Sequence, residues 1–361
     1  MRILFLTVDD ETRASSRTRV YQFLPHLKEA GIEYDIVPWN GKTKYPIFKD
    51  ENSPAKKAIN LITSEVINYF VMTARISWAL FNIKRYDLVF VQKITLRRLL
   101  LILRALKVKY IYDIDDAIYT LHSSDLAKSN KATRVNQAIE FMKTARHMIV
   151  ELPSTEEVAR HHCKNVTTIL GPIDVNRYRP SREKDPKRVT IGWIGSLGNT
   201  FYLFEIKDVL EKICRENKNA EVALIGTRGF ETSEPNIKLV KWSLETELYD
   251  LKRFDIGIMP LTDDEWSRGK GSYKLLQYMA LGIPSVASPV GINTSLIKDG
   301  INGYLAKTPD EWESKLSLLI NNDNLRKELG ARAREMAVNN YSLEASVPKF
   351  VAAIRAAYNS K

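Results

Sequence analysis

The sequence predicts an α/β protein built from two doubly wound domains, each with a mainly parallel sheet. Three observations predict this fold. Short apolar runs alternate with longer helical segments along the chain, which is the pattern of repeated βαβ units. The alternation pauses once, at a segment rich in proline and charge. The length of 361 residues is also more than one ordinary domain requires and suits two.

The first half of the chain supplies six predicted strands with helical segments between them. The predicted strands are Ile3–Val8, Glu33–Val37, Leu88–Gln92, Tyr110–Asp113, His147–Val150 and Val166–Leu170. The predicted helices are Val20–Ala30, Ile59–Ile83, Leu96–Leu106, Ala132–Thr144 and Thr155–Cys163. We assign residues 1–170 to an N-terminal domain, since strands joined by helices pair in parallel.

Residues 171–187 form the predicted linker, and a second alternating series follows it. Its predicted strands are Val189–Trp193, Glu221–Ile225, Ile237–Lys241, Ile256–Met259 and Ser285–Ala287. Helices are predicted in the tail over Pro309–Asn321, Asn324–Asn340 and Leu343–Tyr358. We assign residues 188–342 to a C-terminal domain and expect residues 343–361 to pack back on the N-terminal domain. Two such domains leave a cleft, where ligands of α/β proteins usually bind.

The composition favours a cytoplasmic protein. The two cysteines, Cys163 and Cys214, lack metal-type spacing and indicate a reducing compartment. No signal peptide is recognisable, and no uninterrupted apolar run reaches the ~20 residues of a membrane span. Because His161 and His162 are adjacent, they point apart on a helix, so no metal site is predicted there.

The positive charge is concentrated in the first half. Residues 1–180 hold 28 Lys and Arg against 19 Asp and Glu, so they carry +9 of the net +11. Leu88 to Tyr112 contains six bases and no acid, and the helix Ile59–Ile83 adds Tyr69, Phe70, Trp78 and Phe81. The helices either only cover the sheet or also touch an anionic membrane with a basic rim. Nucleic-acid binding is not expected, since no recognisable module is present.

Small and polar residues follow the first strand of the second series. Gly195, Ser196, Gly198, Asn199 and Thr200 stand between this strand and the next helical segment. Such a loop can surround a phosphate with backbone N–H groups, with Asn199 or Thr200 as the helix cap. A plain strand-to-helix turn explains the same pattern equally well.

Three cations, Arg268, Lys270 and Lys274, surround a second predicted helix start beside Gly269 and Gly271. The helix dipole disfavours cations at this end, so they require an anion. That anion is either a bound phosphate or the acidic run Asp263 to Glu265. A solvated basic edge is the alternative.

A third group of polar residues belongs to the first half. Asp113, Asp115 and Asp116 end the fourth strand, and three carboxylates so close together require solvation, pairing or a ligand. Three interpretations of these aspartates remain open: a metal site, hydrogen bonds to substrate hydroxyl groups, or an N-cap of the next helix. Arg17 and Arg19, after the first strand, either contact an anion or acceptor or form an ordinary helix start.

The stretch from Asp255 to Gly303 resembles the donor-binding signature of the retaining family 4 glycosyltransferases. The similar motifs are Tyr273-Lys274-Leu275-Leu276-Gln277-Tyr278-Met279-Ala280-Leu281-Gly282-Ile283-Pro284, Ser285-Val286-Ala287, Asp299-Gly300-Ile301-Asn302-Gly303, Gly171-Pro172-Ile173-Asp174 and Tyr178-Arg179-Pro180. The resemblance implies the GT-B fold, with two Rossmann-like doubly wound parallel-sheet domains facing a central cleft.

The chain departs from the family pattern at two places. Gly269 and Gln277 occupy the positions of two family glutamates, and the Arg and Lys usual after the first strand are absent from Gly195–Thr200. The resemblance assigns catalysis to Arg268, Lys270, Lys274, Asp115 and Asp116. It assigns the donor to Gly195, Ser196, Gly198, Asn199, Thr200, Gly226, Trp242, Leu244 and Gln277. It assigns the acceptor to Arg17, Arg19 and Asp113.

The expected activity is transfer of a sugar, with retention, from a nucleotide-diphosphate sugar to a hydroxyl acceptor. Cationic residues would neutralise the diphosphate, so neither a metal nor another cofactor is expected. The expected partners are the nucleotide sugar, a lipid-linked or oligosaccharide acceptor, and the inner face of an anionic membrane. A nucleotide-sugar epimerase or hydrolase and a catalytically weakened partner subunit are the alternatives.

Overall fold

The computed structural model describes residues 1–40, 53–120, 129–180 and 188–360. They form two compact units, one of Met1–Ile169 with the chain from Val347 onward, and one of Leu170–Ser346. Residues 181–187 of the predicted linker lie outside the described residues.

The first unit has a sheet of six parallel strands in the order β2-β1-β3-β4-β5-β6. The strands are β1 Arg2–Thr7, β2 Glu33–Pro38, β3 Leu88–Gln92, β4 Tyr110–Ile114, β5 His147–Val150 and β6 Val166–Thr168. Every residue of β3, β4 and β5 is buried. All six strands were predicted, because buried parallel strands are apolar almost throughout.

The helices of the first unit fill the segments between the strands. They are α1 Ala14–Arg19, α2 Leu24–Glu29, α3 Pro54–Asn82, α4 Arg97–Ala105, α5 Ser129–Thr144 and α6 Pro153–Arg160. The single helix predicted over residues 20–30 is wrong, because the 3₁₀ turn Tyr21–Phe23 precedes α2. Pro25 lies in the first turn of α2, where a missing N–H is tolerated.

The second unit repeats the architecture, with six parallel strands in the order β12-β11-β10-β7-β8-β9. The strands are β7 Val189–Ile194, β8 Ala220–Ile225, β9 Ile237–Val240, β10 Ile256–Met259, β11 Ser285–Ala287 and β12 Gly303–Leu305. The sequence did not predict β12, which has only three residues. The chain winds outward from β7 and then from β10, so these neighbours form the topological switch point, where α/β sheets bind ligands.

The helices of the second unit include a long 3₁₀ segment, Leu197–Ile206, directly after β7. The α-helices are α7 Lys207–Glu216, α8 Glu247–Lys252, α9 Glu265–Arg268, α10 Tyr273–Ala280, α11 Asn293–Leu296, α12 Pro309–Asn321, α13 Asp323–Tyr341 and α14 Leu343–Asn359. Thr308 and Glu311 form a reciprocal capping box at the start of α12.

Helix α14 belongs to both units. From Val347 onward its residues are part of the first unit. The Phe350 ring stacks on Phe23 with 4.1 Å between centroids and lies 5.5 Å from the ring of Phe90. Lys109 Nζ donates to the Ser360 carbonyl at 2.7 Å. The last helix therefore completes the core of the first unit.

One described helical segment, Val66–Arg85, is long and apolar enough to cross a membrane, by length and composition only. Arg75 interrupts the apolar run, as the sequence predicts, but the mean hydropathy of the segment still reaches the level of a membrane span. Only 17% of the segment is buried.

Candidate active site

The loops that follow β7 and β8 lie directly against each other. Gly195 N donates to the Ile225 carbonyl at 3.1 Å. Gly226 has φ +79°, and a Cβ there would come within 2.3 Å of the Gly195 carbonyl oxygen. Only glycine meets both conditions at position 226. The predicted donor residues Gly195 and Gly226 thus form one close backbone contact at the carboxyl edge of the sheet.

Polar side chains of the same loop bind one another and the loop after β8. The buried Thr200 Oγ1 accepts from Arg228 N at 3.2 Å, and Asn199 Nδ2 donates to Ser196 Oγ at 3.1 Å. The predicted helix cap by Asn199 or Thr200 is wrong, because Ser196 occupies the N-cap of the 3₁₀ segment and no side chain caps it.

Two of the three predicted cations lie against the end of β7 and the loop that follows it. Lys270 Nζ donates to Asn199 Oδ1 at 3.2 Å and lies 5.4 Å from the ring centroid of Tyr202. Lys274 Nζ lies 4.3 Å from the ring centroid of Trp193, whose side chain is completely buried. Burial, reinforced by the charge of Lys270, lowers the pKa of Lys274 to about 7. Within the described residues no carboxylate pairs with Lys274, so the site favours an anion.

Arg268 has a different environment. Its Nε lies 2.8 Å from Asp263 Oδ1, and both side chains are 58% exposed. Asp264 caps α9 by accepting from Ser267 N at 2.8 Å. Asp263 of this loop therefore pairs with Arg268, and Asp264 caps α9.

The residue that starts α10 holds an uncommon backbone conformation. Ser272 has φ +52°, in the left-handed region, and its Oγ hydrogen bonds Asn293 Oδ1 at 2.6 Å. Such strain in a non-glycine residue clusters at ligand-binding sites. It sets the direction in which α10 leaves the loop, and hence where Lys274 stands.

A buried polar cluster surrounds Gln277. Gln277 Nε2 donates to Tyr178 Oη at 3.1 Å and to Glu247 Oε1 at 3.3 Å. Glu247 Oε1 also accepts from Tyr178 Oη at 2.9 Å, and its Oε2 accepts from Trp242 Nε1 at 2.8 Å. The carboxylate joins two predicted donor residues, Gln277 and Trp242, while Leu244 is half-buried in the loop after β9.

Sequence reasoning missed Glu247, which is only 3% exposed. Acids in the first turn of a helix are common, so its position at the start of α8 gave no signal. Only the fold shows that it lies beside Gln277.

In the first unit, Arg19 and Asp113 form an interior ion pair. Arg19 Nη2 lies 2.6 Å from Asp113 Oδ1, and the side chains are 2% and 0% exposed. Arg19 Nη1 also donates to the Ile169 carbonyl at 2.6 Å. The pair ties α1 to β4 and to the end of β6.

Asp115 and Asp116 are both paired with Lys93. Lys93 Nζ lies 2.6 Å from Asp115 Oδ1 and 2.5 Å from Asp116 Oδ2, and its backbone has φ +57°. Burial alone would raise the pKa of Asp115, but the Lys93 ammonium outweighs it and lowers the pKa to about 2. Lys93 was counted in the predicted basic rim, and this pairing corrects that interpretation.

Two more residues complete this edge of the first sheet. Arg17 Nη1 donates to the carbonyls of Glu11 and Thr12 at 3.3 and 3.2 Å, so it holds the loop after β1. Glu151, at the end of β5, is 6% exposed, and burial raises its pKa to about 8. In the described ranges no group of three His, Cys, Asp or Glu side chains is arranged to hold a metal ion.

The second unit matches a known family model. Residues 188–322 match the family described as "Glycosyl transferases group 1". The uncharacterized glycosyltransferases MJ1069 and MJ1178 of Methanocaldococcus jannaschii are 37% identical to this chain over 81 and 82 residues. Each alignment covers 22% of this chain, and 21% and 22% of the two relatives, so the match spans about a fifth of their length.

Solved structures match over nearly the whole chain. Sucrose-phosphate synthase from Thermosynechococcus elongatus has a TM-score of 0.69 at 13% identity and covers 98% of both chains. HepE from Anabaena, in complex with UDP and glucose, has a TM-score of 0.65 at 13% identity and covers 98% of this chain and 99% of its own. Residues 188–322 therefore match the group 1 glycosyltransferase domain, and the chain has the GT-B fold.

Proposed function

We propose that the protein is a retaining glycosyltransferase that moves a sugar from a nucleotide-diphosphate sugar to a hydroxyl acceptor. The observation that carries the proposal is the pair Lys270 and Lys274, which lies against the end of β7 and the loop after it, at the switch point of the second sheet. A cation site with backbone N–H groups nearby suits a diphosphate.

The donor residues would divide the nucleotide sugar among them. Lys270 and Lys274 would stabilise the negative charge that grows on the leaving diphosphate, the electrostatic contribution that usually dominates catalysis. Gln277 with Glu247 would bind the ribose, and Trp242 with Leu244 would flank the base. Structures of HepE with UDP and with UDP-glucose support this choice of ligand.

The acceptor would bind the first unit, at the edge formed by Arg17, Asp115 and Asp116. Because Lys93 pairs with both carboxylates, we propose that they bind hydroxyl groups without a metal ion. We further propose a lipid-linked or envelope glycan as the acceptor, and a peripheral position on the cytoplasmic face of the membrane. The charge of residues 1–180 supports the membrane proposal, and two buried, free cysteines support a reducing compartment.

The test measures nucleoside diphosphate release from a panel of nucleotide sugars, with and without lipid-linked acceptors. We expect Lys274→Ala to lower turnover by ~10² or more, the effect of removing one charge-stabilising group. Lys315 is a matched control, since its Nζ lies 4.6 Å from the Tyr304 ring centroid in the same unit. Lys315→Ala should keep the wild-type rate, and equal rates in both variants would remove Lys274 from the mechanism.

The same assay separates the alternatives. A nucleotide-sugar hydrolase releases nucleotide at the same rate with and without acceptor, and an epimerase converts the donor without releasing any. A weakened partner subunit binds nucleotide without turnover. Acceptor-dependent release, with the anomeric configuration of the donor kept in the product, is the result that the proposal requires.

A further inference from the structure

Helix α3 exposes a row of large apolar side chains. Ile62, Val66, Tyr69 and Phe70 follow the i, i+4, i+7, i+8 spacing of one helix face, and their side chains are 50–70% exposed. Phe81 is 87% exposed and lies eleven positions after Phe70, which returns it to nearly the same direction. The exposed face of an ordinary surface helix is polar, so this face requires a partner.

A different face of the same helix already packs on the sheet. Ala79 is buried in the core of the first unit together with Ile83 of the following turn, and Ile76 and Leu80 pack against that core. Packing on the sheet therefore accounts for the apolar character of these four residues, but not for that of the exposed outer face.

From Val66 onward, the charged residues of this segment all have one sign. From Val66 to Arg85 the sequence contains Arg75, Lys84 and Arg85 and no acid. All three of these basic residues are exposed. A second copy of the chain would bring these bases against their own equivalents, whereas anionic lipid headgroups complement them.

We infer that α3 lies in the plane of an anionic membrane, with Tyr69, Phe70 and Phe81 inserted among the acyl chains and Lys84 and Arg85 at the headgroups. An in-plane position follows because Ala79 and Ile83 hold the helix to the core of the first unit. Aromatic side chains beside flanking bases are typical of interfacial helices. The inference rests on the membrane association in the proposed function and names the surface that performs it.

The test is cosedimentation with vesicles of equal parts phosphatidylglycerol and phosphatidylcholine. We expect Phe70→Ser/Phe81→Ser to weaken binding at least ~10²-fold, because each phenylalanine contributes at least a tenfold effect when fully inserted. Leu239→Ser/Tyr249→Ser is the matched control, since these residues are 53% and 68% exposed on the second unit. This control should bind as the wild type does.

Salt separates insertion from charge attraction. At roughly 0.5 M salt, where surface charges are screened, the wild type should keep measurable binding that the phenylalanine variant lacks. Lys84→Gln/Arg85→Gln should weaken binding at low salt and change little at high salt. Equal binding of the phenylalanine variant and the wild type would overturn the role of α3 and leave the proposed function intact.

Two further outcomes would overturn the inference in other ways. If the wild type binds no vesicles, the membrane part of the proposed function fails together with the role of α3, while nucleotide-sugar turnover is unaffected. If light scattering shows a dimer that Phe70→Ser/Phe81→Ser converts to a monomer, without vesicle binding, the face joins two copies of this chain instead.

Discussion

Substitution of Lys274 by arginine should remove the pH dependence of donor binding. Burial and Lys270 lower the pKa of Lys274 to about 7, so the free protein loses this charge as the pH rises above neutrality. A bound diphosphate favours the ammonium and raises its pKa again, so binding takes up a proton. At about pH 8.5, which is about 1.5 units above the pKa of the free lysine, Lys274 must be protonated before it can bind the diphosphate as a cation. This protonation costs about 2 kcal/mol and weakens the affinity roughly 30-fold. Arginine stays charged throughout.

The assay is titration calorimetry with UDP-glucose, a diphosphate diester whose phosphates do not titrate between about pH 6 and pH 8.5. Measurements in two buffers of different ionisation enthalpy count the protons taken up. We expect about one proton per site at the high end for the wild type and for Lys315→Ala, and none for Lys274→Arg. A flat wild-type profile, or an unchanged slope in Lys274→Ala, would refute the assignment of Lys274 to the diphosphate.

Three other outcomes follow from the structure. Gly226→Ala should weaken UDP-glucose binding at least ~10-fold in calorimetry, because the new Cβ would collide with the Gly195 carbonyl. Gly229→Ala is the control: Gly229 also has a positive φ, +71°, but no atom lies near its Cβ position, so this variant should lose little affinity. Glu151→Gln should remove a pH dependence of stability. Because the pKa of Glu151 is about 8 in the folded protein against 4.5 ordinarily, its contribution to the free energy of unfolding is complete below pH 4.5 and is lost as the pH rises towards 8. In denaturant unfolding, the free energy of unfolding of the wild type should fall by at most about 5 kcal/mol over this pH range, and that of Glu151→Gln should not. Parallel pH profiles of the two proteins would exclude this role of Glu151. Phe350→Ala should lower the free energy of unfolding by about 3–5 kcal/mol, whereas Tyr358→Ala, on the same helix but 42% exposed, should change it little.

The fold was predictable because its signals are local. Strands buried on both faces must be apolar along their whole length, so β3, β4 and β5 are recognisable as short apolar runs. The three residues of β12 are too few for such a signal, and they pair only because β11 offers a free edge. A turn residue such as Pro25 is visible, but the 3₁₀ turn before it depends on packing.

The sequence predicted those parts of the candidate site whose residues are close together in the chain. Glycines after a strand and cations at a helix start predicted the loop at Gly195 and the pair Lys270 and Lys274, and the structure brings these residues together. Pairings across the chain were not visible: Glu247 meets Gln277 from thirty positions away, and Lys93 meets Asp116 from twenty-three. Lys93 was assigned to a basic surface from a count of charges, because such a count does not show which side chain each residue pairs with in the fold.

Because Phe350 completes the packing around Phe23, the first unit cannot finish its core during translation until α14 has left the ribosome. The second unit, formed by one continuous stretch from Leu170 to Ser346, has no such requirement. The second unit, although encoded later in the message, is therefore able to reach its native state first, while the first unit waits for α14.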